Sequence, residues 1–423
     1  MSAVAHDGQP DRRQQLTPDR IPVTSYSTPR NMTSAVVDRK VVAFKFGGSS
    51  LFGADRMLHS AQLVSEAAAS RNMVIIVSAM KGMTDRLLAV ARALEAGCRT
   101  DARRDAEEIL RSHLAVLRDL QLQSPDHNRL EEDLRRVGKE LLHDASPETQ
   151  PCSAVRSAVR AALQDRLASY GERFSAKLFS AALSKYGVPA VPVDSSEFVL
   201  TCDTFRRARP QMEETRRRGR ELLLPLFSNG SIPVVTGFIG ATHDGRVTTL
   251  GRNSSDFSGA LVAHVVDASE LVIWTDVDGI YTENPHESGD ARLLHELSYD
   301  EAHALAAAGA KVLHANVLPL AAENEMVVWV RNTFNPQFRG TRIGPVPVHS
   351  REVLSSSAHD TRTDSASCHS AAREPSEPDG AGSLSESVVE HERNRGISLV
   401  AAVLPADEQP GYACKLFHSR GAE

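Results

Sequence analysis

Short apolar runs that alternate with helical patterns between residues 40 and 343 constrain the fold of this chain more than any other feature. The runs have the length of buried strands: VVAFKF (41–46), MVIIVSAM (73–80), VPAVPV (188–193), SIPVVTGFIG (231–240), LVIWTDV (271–277) and MVVWVRN (326–332). Helical patterns lie between them, for example from about residue 55 to about residue 70 and again from Thr84. Because strands that are apolar on both faces belong to covered sheets, we predict an α/β protein with a mostly parallel sheet between two layers of helices.

A long charged segment interrupts this alternation. Residues 101–168 have the period of a helix, with a predicted turn at residues 124–127 and a helix-breaking zone at residues 146–151. We interpret the segment as an inserted helical hairpin or a small helical subdomain.

The two ends of the chain differ in composition from residues 40–343, which we predict to form one domain. Residues 1–39 are polar and rich in Pro, Ser, Thr and Arg, which predicts a disordered extension. Residues 344–389 are dominated by Ser, Ala, Asp, Glu and Pro and are predicted to form a low-complexity linker. Residues 390–423 contain only two short apolar runs, too few for an independent core.

The overall composition argues against several classes of partner. A net charge of -6 and a pI near 6.3 do not fit a surface for nucleic acid or anionic membranes, and no run of apolar residues reaches the length of a membrane helix. The five cysteines are scattered and odd in number, which fits reduced thiols and predicts a cytoplasmic protein. Small solutes are therefore the expected partners.

The segment KFGGSS ends the first apolar run and carries a lysine at its tip. Gly47 and Gly48 leave backbone N–H groups free to surround an anion, and Lys45 adds a positive charge, so a phosphate would suit this loop. Alternatively, the segment is only a tight turn in which glycine permits positive φ and Lys45 faces water. A Walker loop is excluded because GxxxxGK[ST] is missing.

Two further segments place charged groups where a strand or hairpin ends. TLGRNSSDFS (249–258) brings Arg252, hydroxyls and Asp256 to a predicted helix N-terminus, although capping alone would explain Ser255 or Asp256. WTDVDGIYTENP (274–285) carries two aspartates at the end of a strand, where α/β proteins bind ligands, or else forms a simple β-turn.

Two helical patterns also carry charged residues. GERFS puts Glu172 and Ser175 three residues apart at the predicted start of a helix, where they would share a face and bind a ligand, cap the helix or face solvent. Lys311 follows an alanine-rich helix, where it could bind an anion or only interact favourably with the helix dipole.

Taken in order, the motifs are similar to those of a known family. KFGGSS, VSAMKGMTD, GERFS, TLGRNSSDFS, TDVDGIYTENP, LSYDEAHALAAAGAKVLH and NTFNPQFRGTRI resemble the aspartate kinases of the amino-acid kinase superfamily over about residues 40–343. LGRNxSD and WTDVDGIYT are most similar to the type fused to homoserine dehydrogenase, although no dehydrogenase region follows here.

The resemblance implies a fold and a reaction. The fold is a three-layer αβα sandwich with a mixed sheet and the inserted helical subdomain, in which ATP and aspartate meet at the carboxyl ends of the strands. The reaction is ATP-dependent phosphorylation of the side-chain carboxylate of L-aspartate, the first step of aspartate-family amino-acid biosynthesis, with Mg²⁺ carried by ATP. The alternatives are a kinase for another amino-acid carboxylate in a specialised pathway, and a non-catalytic regulatory relative.

The resemblance also implies roles for individual residues. The catalytic groups would be Lys45, Asp256 and Lys311. The amino acid would be held by Arg252 at its α-carboxylate and by Glu172 at its α-ammonium, with hydrogen bonds from Thr84 and Ser255. ATP would contact Lys45, Gly47, Gly48, Ser49, Thr275, Asp276, Tyr281 and Lys311.

The chain departs from the family pattern in several places. Ser254 stands where the family usually has a glycine, the TxDPR ending reads TENPH at residues 282–286, and Ala315 replaces a proline. Residues 390–423 are expected to be a remnant of the family's ACT-type regulatory modules, which predicts weak or absent feedback inhibition. A homo-oligomer is an expected assembly, since those modules often build the family's dimer.

Overall fold

The computed structural model describes residues 40–146, 157–251, 254–283, 288–307, 313–314 and 316–345. The predictions for residues 1–39, for residues 390–423 and for almost all of the linker at 344–389 therefore lie outside the described residues. The same holds for two predicted site residues, Arg252 and Lys311.

Twelve short strands are found in the described part of the chain. They are β1 (Val41–Phe46), β2 (Asn72–Val77), β3 (Ala190–Val193), β4 (Ile232–Thr236), β5 (Ile239–Ala241), β6 (Val247–Thr249), β7 (Glu270–Thr275), β8 (Ile280–Tyr281), β9 (Leu293–Leu294), β10 (Glu296–Leu297), β11 (Val327–Asn332) and β12 (Thr341–Ile343). Eight of them form one sheet in the order β10-β12-β11-β7-β1-β2-β4-β3. All neighbours in this sheet are parallel except β11 and β12. The sheet is therefore mixed and mostly parallel, as predicted.

Helices cover both faces of this sheet. They are α1 (Gly53–Ala68), α2 (Met83–Glu95), α3 (Arg99–Asp119), α4 (Ser124–Asp144), α5 (Ser157–Ser184), α6 (Met212–Ser228), α7 (Ser255–Val265), α8 (Tyr299–Ala307) and α9 (Val317–Glu323). Because side chains alternate along a strand, Ile75 of β2 enters the core formed with α1 to α5, and Ile76 enters the core formed with α6 to α9. This arrangement confirms the three-layer αβα sandwich.

The charged segment forms two long antiparallel helices, α3 and α4, that pack on α2 and α5. The predicted turn at residues 124–127 was wrong, because α4 begins at Ser124 and the chain turns at residues 120–123. Pro125 lies in the first helical turn, where proline is favoured because no N–H is needed there. The predicted end of the insertion at residue 168 falls inside α5, and the status of this segment as a subdomain stays a prediction.

The parallel strands β1, β2, β4, β7 and β11 end at the same edge of the sheet. Beyond β4 the chain forms the β5–β6 hairpin and then enters α7. The segments singled out in the sequence thus converge at this edge. No helix in the described ranges combines the length and apolarity that crossing a membrane requires.

Candidate active site

A cleft with a volume of about 340 Å³ opens at the carboxyl ends of β1, β2 and β4, beside the N-terminus of α7. Its lining consists of Lys45, Gly47, Gly48, Ser78, Ala79, Met80, Lys81, Gly82, Thr84, Asp85, Leu88, Glu172, Phe238, Ser254 and Ser255. Six predicted site residues are among them: Lys45, Gly47, Gly48, Thr84, Glu172 and Ser255. Residues from five separate parts of the chain thus meet in one cavity.

Lys45, the fifth residue of β1, is buried and ion-paired at the floor of the cleft. Its Nζ lies 2.6 Å from Oδ1 of Asp256, the second residue of α7. Gly259, one turn further along α7, provides the space for the lysine stem, since a Cβ there would lie 3.2 Å from Lys45 Cβ. The pairing fixes the ammonium group in the cleft, and together with the burial of Lys45 it rules out the alternative in which this side chain faces water.

Gly48 is needed for close packing of backbone segments, whereas a Cβ on Gly47 would make only an ordinary contact, 3.6 Å from the Trp274 carbonyl oxygen. Neither has positive φ, so the simple turn alternative does not explain them. A Cβ on Gly48 would lie 2.7 Å from the Ala79 carbonyl oxygen. This contact is too short, and it could be lengthened only by a shift of the main chain. The Gly47 N–H donates to the Trp274 carbonyl oxygen at 3.2 Å, so in this structure it holds β7 rather than facing the cleft.

Glu172 places a nearly inaccessible carboxylate in the cleft, with 3% of its surface exposed. It lies in the middle of α5, so the prediction that it starts a helix was wrong. The reason is Gly171, where a Cβ would lie 2.6 Å from Ala79 Cβ, so the glycine lets an uninterrupted helix approach the loop after β2. Ser175, predicted to share the face of Glu172, is buried but is not part of the cleft lining.

Burial raises the pKa of Glu172 to about 8, although hydrogen bonding by the backbone of Ala79 opposes the shift. Among the described residues, its Oε2 atom has no hydrogen-bond partner. A buried carboxylate that has one oxygen without a partner is costly in its ionised form, and a ligand cation would remove much of that cost. The side chain is therefore suited to receive an ammonium group.

Two buried hydroxyl groups in the cleft were missed by the sequence reasoning as ligand groups. Ser78 follows β2 and Ser254 precedes α7, and neither Oγ atom has a hydrogen-bond partner within the described ranges. Ser254 has no exposed surface, and its side chain does not cap α7. The signal for Ser78 was available, because it directly follows the apolar strand β2, and Lys45 and Thr275 lie at the same carboxyl end of their own strands.

Phe238 and Lys81 are further cleft residues that the prediction did not include. Phe238 has a φ of 67°, which is unusual for a bulky residue, and its N–H donates to Ser258 Oγ at 2.7 Å. No sequence pattern indicates such a conformation. Lys81 is exposed, and its N–H donates to the Gly48 carbonyl oxygen at 3.1 Å, which ties the loops after β1 and β2 together.

Three of the residues predicted to contact the nucleotide, Thr275, Asp276 and Tyr281, lie apart from the cleft lining. Thr275 ends β7, Asp276 follows it on the surface, and Tyr281 belongs to β8. The adjacent Asp278 accepts hydrogen bonds from Asn332 Nδ2 at 2.8 Å and from Asn335 Nδ2 at 3.1 Å. Because β7 pairs with β1, these residues continue the carboxyl edge of the sheet past Lys45.

Ser49 lies in the short helical turn after β1, and its carbonyl oxygen accepts a hydrogen bond from Arg56 at 2.9 Å. The positions of Arg252, Lys311, His286 and Ala315 lie outside the described residues. In the described part of the chain, no three His, Cys, Asp or Glu side chains are grouped as a protein-bound metal ion requires.

Comparison with known proteins relates this arrangement to one family. The model of the amino acid kinase family matches residues 40–332. Lysine-sensitive aspartokinase 3 of Escherichia coli (strain K12) is 34% identical over 304 residues, which cover 72% of this chain and 64% of that protein. The chloroplastic bifunctional aspartokinase/homoserine dehydrogenase 2 of Zea mays is also 34% identical, over 72% of this chain and 32% of its own length.

Solved structures agree with these relatives. The crystal structure of E. coli aspartokinase III in complex with aspartate and ADP (R-state) superposes with a TM-score of 0.65 at 33% identity, covering 73% of this chain and 65% of that one. The T-state structure of the same enzyme with lysine and aspartate gives a TM-score of 0.63 at 32% identity, with the same coverage. This chain thus spans slightly less than two thirds of the length of these E. coli proteins.

Proposed function

This chain belongs to the amino acid kinase family, and from that premise we propose that it transfers the γ-phosphoryl group of ATP to the side-chain carboxylate of L-aspartate. The products are 4-phospho-L-aspartate and ADP. One observation carries the proposal: the cleft is lined both by Lys45, which is ion-paired, and by Glu172, whose Oε2 atom has no hydrogen-bond partner among the described residues. The similarity to an enzyme solved with aspartate and ADP supports it.

Recognition of the amino acid begins with Glu172. The α-ammonium group of the substrate supplies the positive charge that this buried carboxylate lacks, and it favours the ionised form of the side chain. Thr84 and Ser255, which both line the cleft, donate hydrogen bonds, and Arg252 receives the α-carboxylate. A ligand without an ammonium group would leave the buried Glu172 carboxylate without a cation, and one without an α-carboxylate would offer Arg252 no anion, so the site selects α-amino acids.

Phosphoryl transfer then depends on positioning and on charge. The acceptor carboxylate is ionised near neutral pH and needs no general base. In the transition state, negative charge spreads over the oxygens of the transferred group, and the Lys45 ammonium stabilises it. Asp256 holds that ammonium in place. Lys311 supplies the second cation of the proposed site.

ATP lies along the carboxyl edge of the sheet in this proposal. Gly47, Gly48 and Ser49 border its terminal phosphates, while Thr275, Asp276 and Tyr281 hold the rest of the nucleotide. Burial and the neighbouring Asp278 carboxylate raise the pKa of Tyr281, so the phenol keeps its proton and can donate a hydrogen bond.

Mg²⁺ is proposed to enter with ATP, held mainly by phosphate oxygens and water. The protein fits this mode of binding, since a single carboxylate beside Lys45, that of Asp256, suffices to orient the water shell of such an ion. The metal neutralises phosphate charge when it is bound, and Lys45 does the same from the protein side.

The wider role proposed for the chain follows from the product, which is an activated precursor of lysine, threonine and methionine. We further propose a homo-oligomer in the cytoplasm. Cys98 and Cys202 are free thiols, which agrees with a reducing compartment.

Ser254 favours a second candidate, a kinase of the same chemistry for another α-amino acid. Its fully buried hydroxyl, for which the described residues offer no hydrogen-bond partner, lines the cleft where the family usually has glycine. A substrate with an additional polar group could form a hydrogen bond with this hydroxyl. Aspartate could do so only with one of its two carboxylates.

Coupled measurement of ADP release with L-aspartate and a panel of related amino acids tests both candidates. We expect turnover with aspartate, strong loss in Lys45→Ala, and no change in Lys139→Ala, which removes an exposed lysine of α4. Turnover with another amino acid but not with aspartate would support the second candidate. Absence of turnover with every amino acid would leave only a non-catalytic relative.

A further inference from the structure

The β8–β9 hairpin, which carries Tyr281, depends on contacts with the rest of the protein for its position. Its two strands have only two residues each and form a separate sheet, in which Ile280 pairs with Leu294 and Tyr281 with Leu293. An isolated hairpin of this size is not stable in water. Whatever anchors it therefore decides where the Tyr281 side chain lies.

Thr341, the first residue of β12, provides such an anchor from the main sheet. Its side-chain oxygen accepts a hydrogen bond from the Ile280 N–H at 2.8 Å and donates one to the Leu294 carbonyl oxygen at 2.5 Å. One hydroxyl group thus joins both strands of the hairpin to β12. Thr341 has no exposed surface, so water cannot replace these bonds.

Gly279 shows that the fit between the hairpin and Thr341 is tight. It has a φ of 154°, and a Cβ at this position would lie 2.5 Å from Thr341 Oγ1 and 3.1 Å from the Thr341 nitrogen. The same turn is held on its other side by Asp278, through Asn332 and Asn335. The segment from Thr275 to Tyr281 is thus clamped between the end of β11 and the start of β12.

We propose that Thr341 is a positioning residue for the nucleotide, which acts through the β8–β9 hairpin and sets the affinity for ATP and ADP without contacting them. The inference rests on the proposed function, because that function assigns Thr275, Asp276 and Tyr281 to the nucleotide. Thr341 is expected to have no role in binding the amino acid, since neither Thr341 nor the hairpin lines the cleft that contains Glu172.

The test is ADP binding by calorimetry, together with KM values for ATP and for aspartate, in Thr341→Val. Valine keeps the shape of threonine but leaves the Ile280 N–H and the Leu294 carbonyl without partners. We expect the Kd for ADP and the KM for ATP to rise about tenfold, and the KM for aspartate to stay within about twofold. Thr341→Ser keeps the hydroxyl and should restore wild-type affinity.

Thr215→Val is the matched control. Thr215 of α6 is equally buried, and its hydroxyl likewise joins the N–H and the carbonyl oxygen of one residue, Leu200, away from the cleft lining and the β8–β9 hairpin. We expect this variant to lower the Tm as Thr341→Val does, with unchanged affinity for ADP. If Thr341→Val does not fold, Thr341→Cys, which keeps a weak donor, should show a smaller loss of affinity in the same direction.

The outcomes separate this inference from the proposed function. Wild-type protein that binds no ADP would overturn both. If wild-type protein binds ADP and a Thr341→Val or Thr341→Cys variant with a reduced Tm binds ADP equally well, only the inference is overturned. Thr341 would then be a structural residue.

Discussion

Replacing Glu172 with Gln should stabilise the free protein at alkaline pH while it weakens amino-acid binding. Burial raises the pKa of this carboxyl from 4.5 to about 8 in the folded state. The folded protein therefore binds a proton that the unfolded chain has released, and its stability falls as the pH rises from the unfolded pKa through the folded one. Glutamine is neutral at every pH and does not contribute to this loss.

The difference between 4.5 and about 8 sets the size of the effect. At about 1.4 kcal/mol per pKa unit, it corresponds to about 5 kcal/mol. Water that enters the open cleft solvates part of the charge. Above about pH 8 we therefore expect the free energy of unfolding of Glu172→Gln to exceed that of wild type by about 2–5 kcal/mol. Below about pH 4, where both states bind the proton, the two proteins should be equally stable.

Urea unfolding across this pH range measures the difference, with Glu132→Gln as the control because Glu132 is an exposed glutamate of α4. L-aspartate at saturating concentration should stabilise wild type at alkaline pH and have little effect on Glu172→Gln. The KM for aspartate should rise about a hundredfold or more in the variant, because the substrate ammonium loses its buried partner. Parallel pH profiles for wild type and Glu172→Gln would refute the reasoning.

Two further substitutions test the floor and the wall of the cleft. Asp256→Asn should lower kcat about a hundredfold with little change in the KM for aspartate, because Lys45 loses the charge that holds it; equal kcat values in stopped assays would contradict this role. Gly48→Ala should lower the Tm by several degrees and reduce activity, since the new Cβ would lie 2.7 Å from the Ala79 carbonyl oxygen. Thermal melts and turnover assays measure both effects. Gly289→Ala, where a Cβ meets open space, is the control and should change neither the Tm nor the activity.

The parts of the fold that follow from local pattern were predictable. Apart from their end residues, strands such as β2 and β7 are continuously apolar, and this pattern alone indicates a sheet covered on both faces. The carboxyl ends of parallel strands meet at one edge, so Lys45 and Thr275 could be expected near each other from their positions in two apolar runs.

The remaining features of the site depend on contacts between distant segments. Glu172 was expected at the start of a helix, yet it lies in the middle of α5, where Gly171 allows the close approach of Ala79 from another loop. The positive φ of Phe238 has a similar origin, since its N–H bonds to Ser258 on α7. A single sequence shows neither contact, because the partners are separated by many residues and no residue type marks the pairing.

Trapping of the product tests the central claim most directly. Wild-type protein incubated with ATP, Mg²⁺, L-aspartate and hydroxylamine should release ADP and form aspartyl hydroxamate in equal amounts, because hydroxylamine captures an acyl phosphate. Lys45→Ala should form neither, and Lys139→Ala should match wild type. ADP release without hydroxamate, or undiminished hydroxamate formation in Lys45→Ala, would contradict phosphoryl transfer to the aspartate carboxylate at this cleft.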